Sequence, residues 1–303
     1  MAPEYIAPEE YYTFTGRDGE VIPRHITHVL IEKVKFLPAR SFHSHPNIQE
    51  VICHDGVEKI EEYAFSNCPS LRQVIMRGVI VTEYRAFNYC RALKYIECGE
   101  LEIIGAQTFR LCESLSSIDL PSIKTVAMDA FAGCTNLTSA KFGKDLESIR
   151  AGVFRGCDCL ERITLPLKEG MISDDDIFME CVYLNRVDLI GGVHETIDAF
   201  VLEEWKNDMN HEIDAISQIL PSTPGYTRIL TRTRNGYRSE TGGKAKVMRK
   251  WIESVHRKYT HYKAEHCRYL NVKAALEPAL PNDIVLNNVL PFLSKSFGRG
   301  EGE

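Results

Sequence analysis

A Phe-x-x-Cys-x-x-Leu motif recurs every 22 to 24 residues between about residue 42 and residue 200, and it constrains the fold more than any other feature. A period of this length is typical of a solenoid, in which each repeat buries its apolar face only by stacking on its neighbours. Phe42 and Phe200 extend the series without the cysteine. The six copies that carry it begin at Phe65, Phe87, Phe109, Phe131, Phe154 and Phe178.

Each motif leucine is followed by a short alternating run, as in Leu137, Ala140 and Phe142. Residues two apart in a strand lie on one face, so the residue between the last two apolar positions is predicted to point outward. A second apolar pair, such as Ile123 and Val126, precedes the next phenylalanine and predicts a short strand on the opposite wall. The outward positions of the main strands are Ile52, Ile75, Glu97, Asp119, Lys141, Thr164 and Asp188.

The repeat pattern, I-x-x-x-A-F-x-x-C-x-x-L-x-x-I-x-L-P, resembles the BspA-type leucine-rich repeat family. The segments AMDAFAGCTNLTSAKF and SIDLPSIKTVAMDAF carry the resemblance most clearly, and it covers residues 26 to 200. In the last two repeats Gly170, Ser173, Gly192 and Glu195 occupy positions that should be apolar. The resemblance implies a curved, right-handed α/β solenoid used for protein or surface recognition, with no catalytic residue to carry over.

Composition agrees with a globular protein, because 44% of the residues are apolar and 26% are charged. The chain has no transmembrane stretch, and its acidic start, MAPEYIAPEEYYTFTGRDGE, does not resemble a secretory signal. We therefore expect a cytoplasmic or nuclear location.

Eight of the ten cysteines stand at interior positions of the repeat, six in the motif and two, Cys53 and Cys98, where strands normally carry leucine. Free cysteine behaves as a small, readily buried residue. We therefore predict a ladder of buried, reduced thiols rather than disulfides or zinc sites. His43, His45 and the acidic run 174–176 lack the partners and spacing of a catalytic or calcium site. We predict no enzyme activity, metal or cofactor.

The chain changes character near residue 200. Apolar residues at steps of three and four from Leu202 to Ile219, with acidic residues between them, predict an amphipathic helix that caps the solenoid. A loop is predicted from Thr223 to Gly243, and a second helix over 244–276. The predicted domains are an N-terminal cap at 1–25, the solenoid at 26–200, a helical domain at 201–293 and a tail at 294–303.

Positive charge is concentrated after the first predicted helix. Residues 226–275 hold 13 Lys and Arg against 3 Asp and Glu, a net of +10, whereas residues 1–225 hold 21 against 35, a net of −14. The basic residues could contact a nucleic acid or another anionic partner. Alternatively, they could pack against the acidic part of the same chain. The candidate basic patch comprises Arg232, Arg234, Arg238, Lys244, Lys246, Arg249, Lys250, Arg257 and Lys258.

The segment at 280–293, LPNDIVLNNVLPFL, resembles the opening helix of an F-box through Leu280, Pro281, Asp283, Ile284, Val289, Leu290 and Leu293. That resemblance implies a ubiquitin-ligase adaptor. The alternative is a short helix, with Pro281 in its first turn, that docks on the helical domain.

These features together predict a non-enzymatic, monomeric scaffold inside the cell that recognises a protein partner through the outward strand positions. A ubiquitin-ligase adaptor and an anion or nucleic-acid binder are the alternatives.

Overall fold

The computed structural model describes residues 11–17, 20–223, 228–233, 236–241, 243–276 and 278, with the backbone alone at 228–233 and 236–241. The chain forms two compact units, residues 1–191 with 216–251 and residues 192–215 with 252–303. The first is a parallel β-solenoid, as the motif period predicts.

One wall of the solenoid, which we call the long-strand wall, contains one strand from each rung. Its strands pair in parallel in two sheets, with the orders β1-β2-β4-β6-β8 and β10-β12-β14-β15. The strands are β1 (Tyr12–Phe14), β2 (His28–Ile31), β4 (Glu50–Cys53), β6 (Gln73–Ile75), β8 (Tyr95–Glu97), β10 (Ser117–Leu120), β12 (Ser139–Phe142), β14 (Arg162–Pro166) and β15 (Arg186–Ile190).

The opposite wall, the short-strand wall, is a single parallel sheet of two-residue strands in the order β13-β11-β9-β7-β5-β3. It arises from the second apolar pair of each repeat, whose last member points inward. The strands are β3 (Phe36–Leu37), β5 (Lys59–Ile60), β7 (Val81–Thr82), β9 (Ile103–Ile104), β11 (Thr125–Val126) and β13 (Ser148–Ile149).

A third wall, the turn wall, carries the Phe-x-x-Cys segments. From Phe42 to Phe154, the residue two positions before each phenylalanine has a positive φ angle, such as Tyr63 at 58° and Arg85 at 55°. The backbone N–H groups of these segments donate to carbonyl oxygens of the following rung, as from Phe65 to Ala86 at 2.8 Å. The turns therefore form a hydrogen-bonded layer that stacks the rungs in register.

The motif phenylalanines form a continuous stack through the core. Neighbouring rings from Phe42 to Phe178 have centroids 5.0 to 5.7 Å apart and lie within 10° of parallel. All of them are buried. Because every ring contacts the ring of the rung before and after it, the core is shared by all repeats and no rung is stable alone.

The motif cysteines have a role beyond apolar packing. The Cys68 Sγ atom donates to the Phe42 carbonyl oxygen at 3.1 Å, and Cys181 donates to Phe154 at 3.0 Å. Cys90, Cys112, Cys134 and Cys157 make the same bond to the preceding rung. A thiol is a weak donor that fits this narrow space. It gives the phenylalanine carbonyl a second donor, from the next rung, beside the backbone N–H that most of these carbonyls already accept, as Phe42 does from His45 at 3.1 Å.

Three helices follow the last long strand: α1 (Val193–Asp198), α2 (Glu203–Ile219) and α3 (Lys244–Leu276). The two long helices confirm the periodicity-based prediction. Short α1, in which Val193 and Ile197 are buried, occupies the place where the repeat pattern becomes irregular.

The prediction of a loop from Thr223 to Gly243 is wrong, because part of this segment forms a β-hairpin. Leu220–Ser222 form a 3-10 turn, and β16 (Arg228–Thr233) pairs antiparallel with β17 (Gly236–Thr241). Alternating β-branched residues on both sides of an Asn-Gly dipeptide are a hairpin signal, which the abundance of Gly and Arg obscured.

Candidate protein-binding face

Three apolar side chains form a row on the outer side of the first long-strand sheet. Leu30 lies opposite Ile52, and Ile52 lies opposite Ile75, in consecutive strand pairings. Each side chain is only half-buried, whereas the alternating positions Val51 and Val74 are buried. The strand period thus leaves one apolar row facing solvent, which we call the apolar row.

Polar and aromatic side chains border the apolar row. The residues two positions before Ile52, Ile75 and Glu97 form a second ladder, made of Glu50, Gln73 and Tyr95. Tyr95 is exposed. Beyond Ile75 the row continues to Glu97, which pairs with Arg77. An apolar centre with a polar and aromatic rim is the usual composition of a protein-binding surface.

The second long-strand sheet carries a charged row instead. Asp119, Lys141, Thr164 and Asp188 lie opposite one another in three consecutive pairings. The Lys141 ammonium lies 3.1 Å from the Asp119 carboxylate, and Asp188 pairs with Arg162 at 3.0 Å. Exposed pairs of this kind contribute little stability. Their main effect is to set the charge pattern on the outer face of the second sheet.

The seven predicted outward positions therefore lie in two ladders, three in the first sheet and four in the second. Leu30 belongs to the first ladder but is absent from the predicted set. Its strand precedes Phe42, the first phenylalanine of the series, so the motif does not mark it. The alternation His28-Val29-Leu30-Ile31 is the signal that identifies it.

Two residues of the candidate basic patch are bound to the last rung of the solenoid. Buried Lys244 donates from Nζ to the carbonyl oxygen of Val182 at 3.1 Å and also to that of Leu184. Burial lowers the pKa of its ammonium group. Arg249 donates from Nε to the Ile172 carbonyl oxygen at 2.9 Å and pairs with Asp175. All these residues belong to the first compact unit.

A third member of the basic patch is paired within the second compact unit. The Lys258 ammonium lies 3.0 Å from Asp208 and 2.9 Å from Glu212, both on α2. Tyr262 donates to Asp208 at 2.7 Å, and its ring stacks on Trp205 with centroids 5.6 Å apart. Burial pushes the pKa of Asp208 upward, but the hydrogen bonds from Tyr262 and Lys258 outweigh it and leave that pKa lowered.

Other members of the patch have different surroundings. Lys246, Lys250 and Arg257 are exposed on α3. Arg232 and Arg238 lie in the hairpin strands, where the backbone alone is described. Arg234 and the F-box-like segment 280–293 lie outside the described residues. The nucleic-acid and adaptor hypotheses therefore stay predictions.

The described part of the chain contains neither a membrane-spanning helix nor a metal-binding cluster. No helix there is long and apolar enough to cross a membrane. Nor do three or more His, Cys, Asp or Glu side chains of these residues converge as a metal site would require.

The stacked parallel rungs, with their phenylalanine and cysteine ladders, define a leucine-rich repeat protein. A family model described as BspA type Leucine rich repeat region matches six copies, over residues 35–126 and 81–207. The chain belongs to this family. A comparison with curated proteins gives no match.

Solved structures of bacterial leucine-rich repeat proteins are similar to part of the chain. A leucine-rich repeat protein from Bacteroides ovatus is 22% identical over 56% of this chain, with a TM-score of 0.45, and the match spans 47% of that protein. The T. pallidum leucine-rich repeat protein TpLRR is 22% identical over 61% of this chain and 87% of its own, with a TM-score of 0.42. The pneumococcal vaccine antigen PcpA is 14% identical over 59% of this chain and 40% of its own, with a TM-score of 0.36.

Proposed function

We propose that this protein is a non-enzymatic scaffold that binds a partner protein on the first long-strand sheet, with the apolar row at the centre of contact. One observation carries the proposal: Leu30, Ile52 and Ile75 are aligned in register on a solvent-facing wall whose other side packs the core. Half-exposed apolar groups on a rigid sheet bind with little loss of side-chain entropy.

The charged row would fix the orientation of a bound partner. A partner segment that lies across both sheets would meet apolar groups at Ile52 and Ile75 and alternating charge at Asp119, Lys141 and Asp188. Apolar contacts supply affinity, while charged contacts at the rim set the register and exclude wrong partners. This division of labour favours a protein partner over a polyanion, which would meet two aspartates.

We further propose an intracellular, monomeric protein. Six buried thiols, each donating to a carbonyl of the neighbouring rung, suit a reducing compartment in which cysteines stay unpaired.

The test is comparative affinity purification with quantitative mass spectrometry from native extract. Ile52→Asp/Ile75→Asp places two charges in the apolar row, and Lys141→Asp/Thr164→Asp makes a matched change in the other sheet. The Ile52→Asp/Ile75→Asp variant should lose its partners, and the Lys141→Asp/Thr164→Asp variant should keep more of its partners than the first variant does. Both should keep the wild-type circular dichroism and melting temperature. Identical partner sets for wild type and Ile52→Asp/Ile75→Asp would refute the proposal.

A further inference from the structure

The turn wall carries a cluster of arginine and tyrosine side chains that neither the core nor the long-strand face uses. The Arg40 guanidinium lies over the Tyr63 ring, 4.7 Å from its centroid, and Arg85 lies over Tyr84 at 4.8 Å. The two tyrosine rings meet edge to face with centroids 5.4 Å apart. We call these four residues the Tyr–Arg cluster.

Stacking of the rungs produces this cluster. Arg40, Tyr63 and Arg85 occupy the same positive-φ position in successive repeats, and Tyr84 directly precedes it. The backbone N–H of Arg40 donates to the carbonyl oxygen of Glu62, and that of Tyr63 donates to the carbonyl oxygen of Tyr84, at 3.0 Å each. Side chains from three rungs are thereby brought together on a rigid backbone layer.

The charges in the cluster are not neutralised as they are elsewhere on the solenoid. On the strand walls, cations pair with carboxylates of a neighbouring rung, as Lys59 does with Glu83 at 2.7 Å and Lys124 with Glu102 at 2.8 Å. Among the described residues, no carboxylate forms such a pair with Arg40 or Arg85. Arg85 donates instead to the neutral amide of Gln107 at 2.6 Å.

The next rung repeats the arrangement. Arg110 lies 5.9 Å from the ring centroid of Tyr89, and the residues Tyr84 and Tyr89 are 37% and 36% exposed. Exposure of this size leaves part of each of these two side chains available to a ligand. Tyr and Arg are the residue types that dominate binding energy at protein interfaces, and arginine held against a ring is already oriented for a bidentate contact.

We propose that the Tyr–Arg cluster is a second binding surface, separate from the long-strand face, that takes an acidic segment of a partner protein. A carboxylate can accept both donors of one guanidinium while the partner's apolar atoms lie on Tyr63 and Tyr84. Exposed Glu62 on the same wall disfavours a nucleic acid, because a continuous phosphate backbone would bring several negative charges past it, whereas an acidic segment can present a single carboxylate to one guanidinium.

The test is selection of short random peptides, displayed on phage, against the full chain. Recovered peptides are measured by fluorescence anisotropy at low and at physiological salt. We expect enrichment in Asp and Glu and at least a tenfold loss of affinity in Arg40→Gln/Arg85→Gln. The matched control, Arg77→Gln/Arg162→Gln, removes two paired arginines from the long-strand wall and should bind as wild type does.

Several results would overturn this assignment. They are failure to recover any peptide, recovery of peptides without acidic enrichment, equal affinity for the Arg40→Gln/Arg85→Gln variant, or tighter binding of an oligonucleotide than of any peptide. Ile52→Asp/Ile75→Asp separates the two surfaces, because it should leave acidic peptides bound. Arg85→Lys keeps the charge and guards against loss of fold, since it should retain part of the affinity.

Discussion

The buried ammonium of Lys244, at the start of α3, donates a 3.1 Å hydrogen bond to the carbonyl oxygen of Val182 in the last rung of the solenoid. It also bonds Leu184, so a single side chain satisfies two carbonyls that a further repeat would otherwise cover. An exposed terminal rung leaves unpaired backbone groups, and Lys244 is the device that pairs them here.

Replacing Lys244 by methionine keeps an unbranched side chain, one atom shorter, but removes the ammonium group that donates to the Val182 and Leu184 carbonyls. We expect the free energy of unfolding to fall by about 1–3 kcal/mol, the usual cost of an unsatisfied buried acceptor. Urea denaturation followed by circular dichroism measures it. Lys246→Met, on the exposed side of the same helix, is the control and should change stability by less than about 0.5 kcal/mol. Equal effects of the two substitutions would contradict the role of Lys244.

Gly143 lies where the backbones of two rungs approach each other closely. A Cβ atom placed there would lie 1.7 Å from the Pro121 carbonyl oxygen, a backbone atom that cannot move aside. Gly143→Ala should therefore destabilise the solenoid by at least about 1–3 kcal/mol, as overpacking does. Gly56→Ala is the matched control, because its Cβ would meet only the His54 ring at 3.5 Å. Similar thermal midpoints for the two variants would disprove the close approach.

The cysteines should differ sharply in reactivity. Those of the motif are buried, Cys159 is half-buried and Cys267 is exposed on α3. Burial raises the pKa of Cys134 to about 12, and the thiolate is the reactive form. Alkylation under native conditions, followed by mass spectrometry, should label Cys267 first and spare the motif positions. Labelling of the unfolded chain in urea is the reference, because every thiol is then accessible. Rapid labelling of several motif cysteines in the native protein would argue against the ladder of reduced, shielded thiols.

Stability should decline at alkaline pH. Burial raises the pKa of Cys53, Cys98, Cys134 and Cys181 to about 12 and that of Cys90, Cys112 and Cys157 well above 9.0, their ordinary value. The unfolded chain loses these protons first, so the stability they give is fully present below pH 9 and is lost as pH rises towards 12. Each thiol contributes about 1.4 kcal/mol of this loss for each pH unit.

Urea midpoints measured from pH 8 to pH 10.5 test the alkaline decline. A Cys134→Ala variant is less stable at pH 8, but its deficit should narrow as pH rises because one titrating thiol is missing. The lowered pKa of Lys244 acts in the opposite direction, since its unfolded form binds the extra proton, but it is one group against seven. A flat profile up to pH 10.5 would show that the thiols are not shielded.

The basic patch should be structural where it is paired. Neutralising Arg249 and Lys258 by Gln should cost about 0–1 kcal/mol for each ion pair. Lys250→Gln/Arg257→Gln, which changes exposed cations on the same helix, should leave stability unchanged. Nucleic-acid affinity, measured by anisotropy over a range of salt, should be negligible in both. The nucleic-acid hypothesis would be established instead if the wild-type protein bound a nucleic acid with submicromolar affinity at physiological salt and the Lys250→Gln/Arg257→Gln variant did not.

Much of the solenoid could be predicted because its contacts repeat along the chain. A phenylalanine every 22 to 24 residues can be buried only by stacking, so the spacing implies the ring stack from Phe42 to Phe178. Alternation around Ile52 and Ile75 predicts their outward direction for the same reason. The hydrogen bond from the Cys68 thiol to the Phe42 carbonyl oxygen was not predictable, because a cysteine that is only buried and a cysteine that also donates a hydrogen bond leave the same pattern in a sequence.

The repeat length, the identity of the core residues, the family and the two long helices could all be predicted from the sequence, since each depends on spacing within one segment. The contact of Lys244 with the last rung appears only in the folded structure, as does the meeting of Arg40 and Arg85 with two tyrosine rings. These outcomes depend on which side chains meet across distant segments. Such contacts leave no periodic signal, because Lys244 is about sixty residues from its partners and each meeting occurs once.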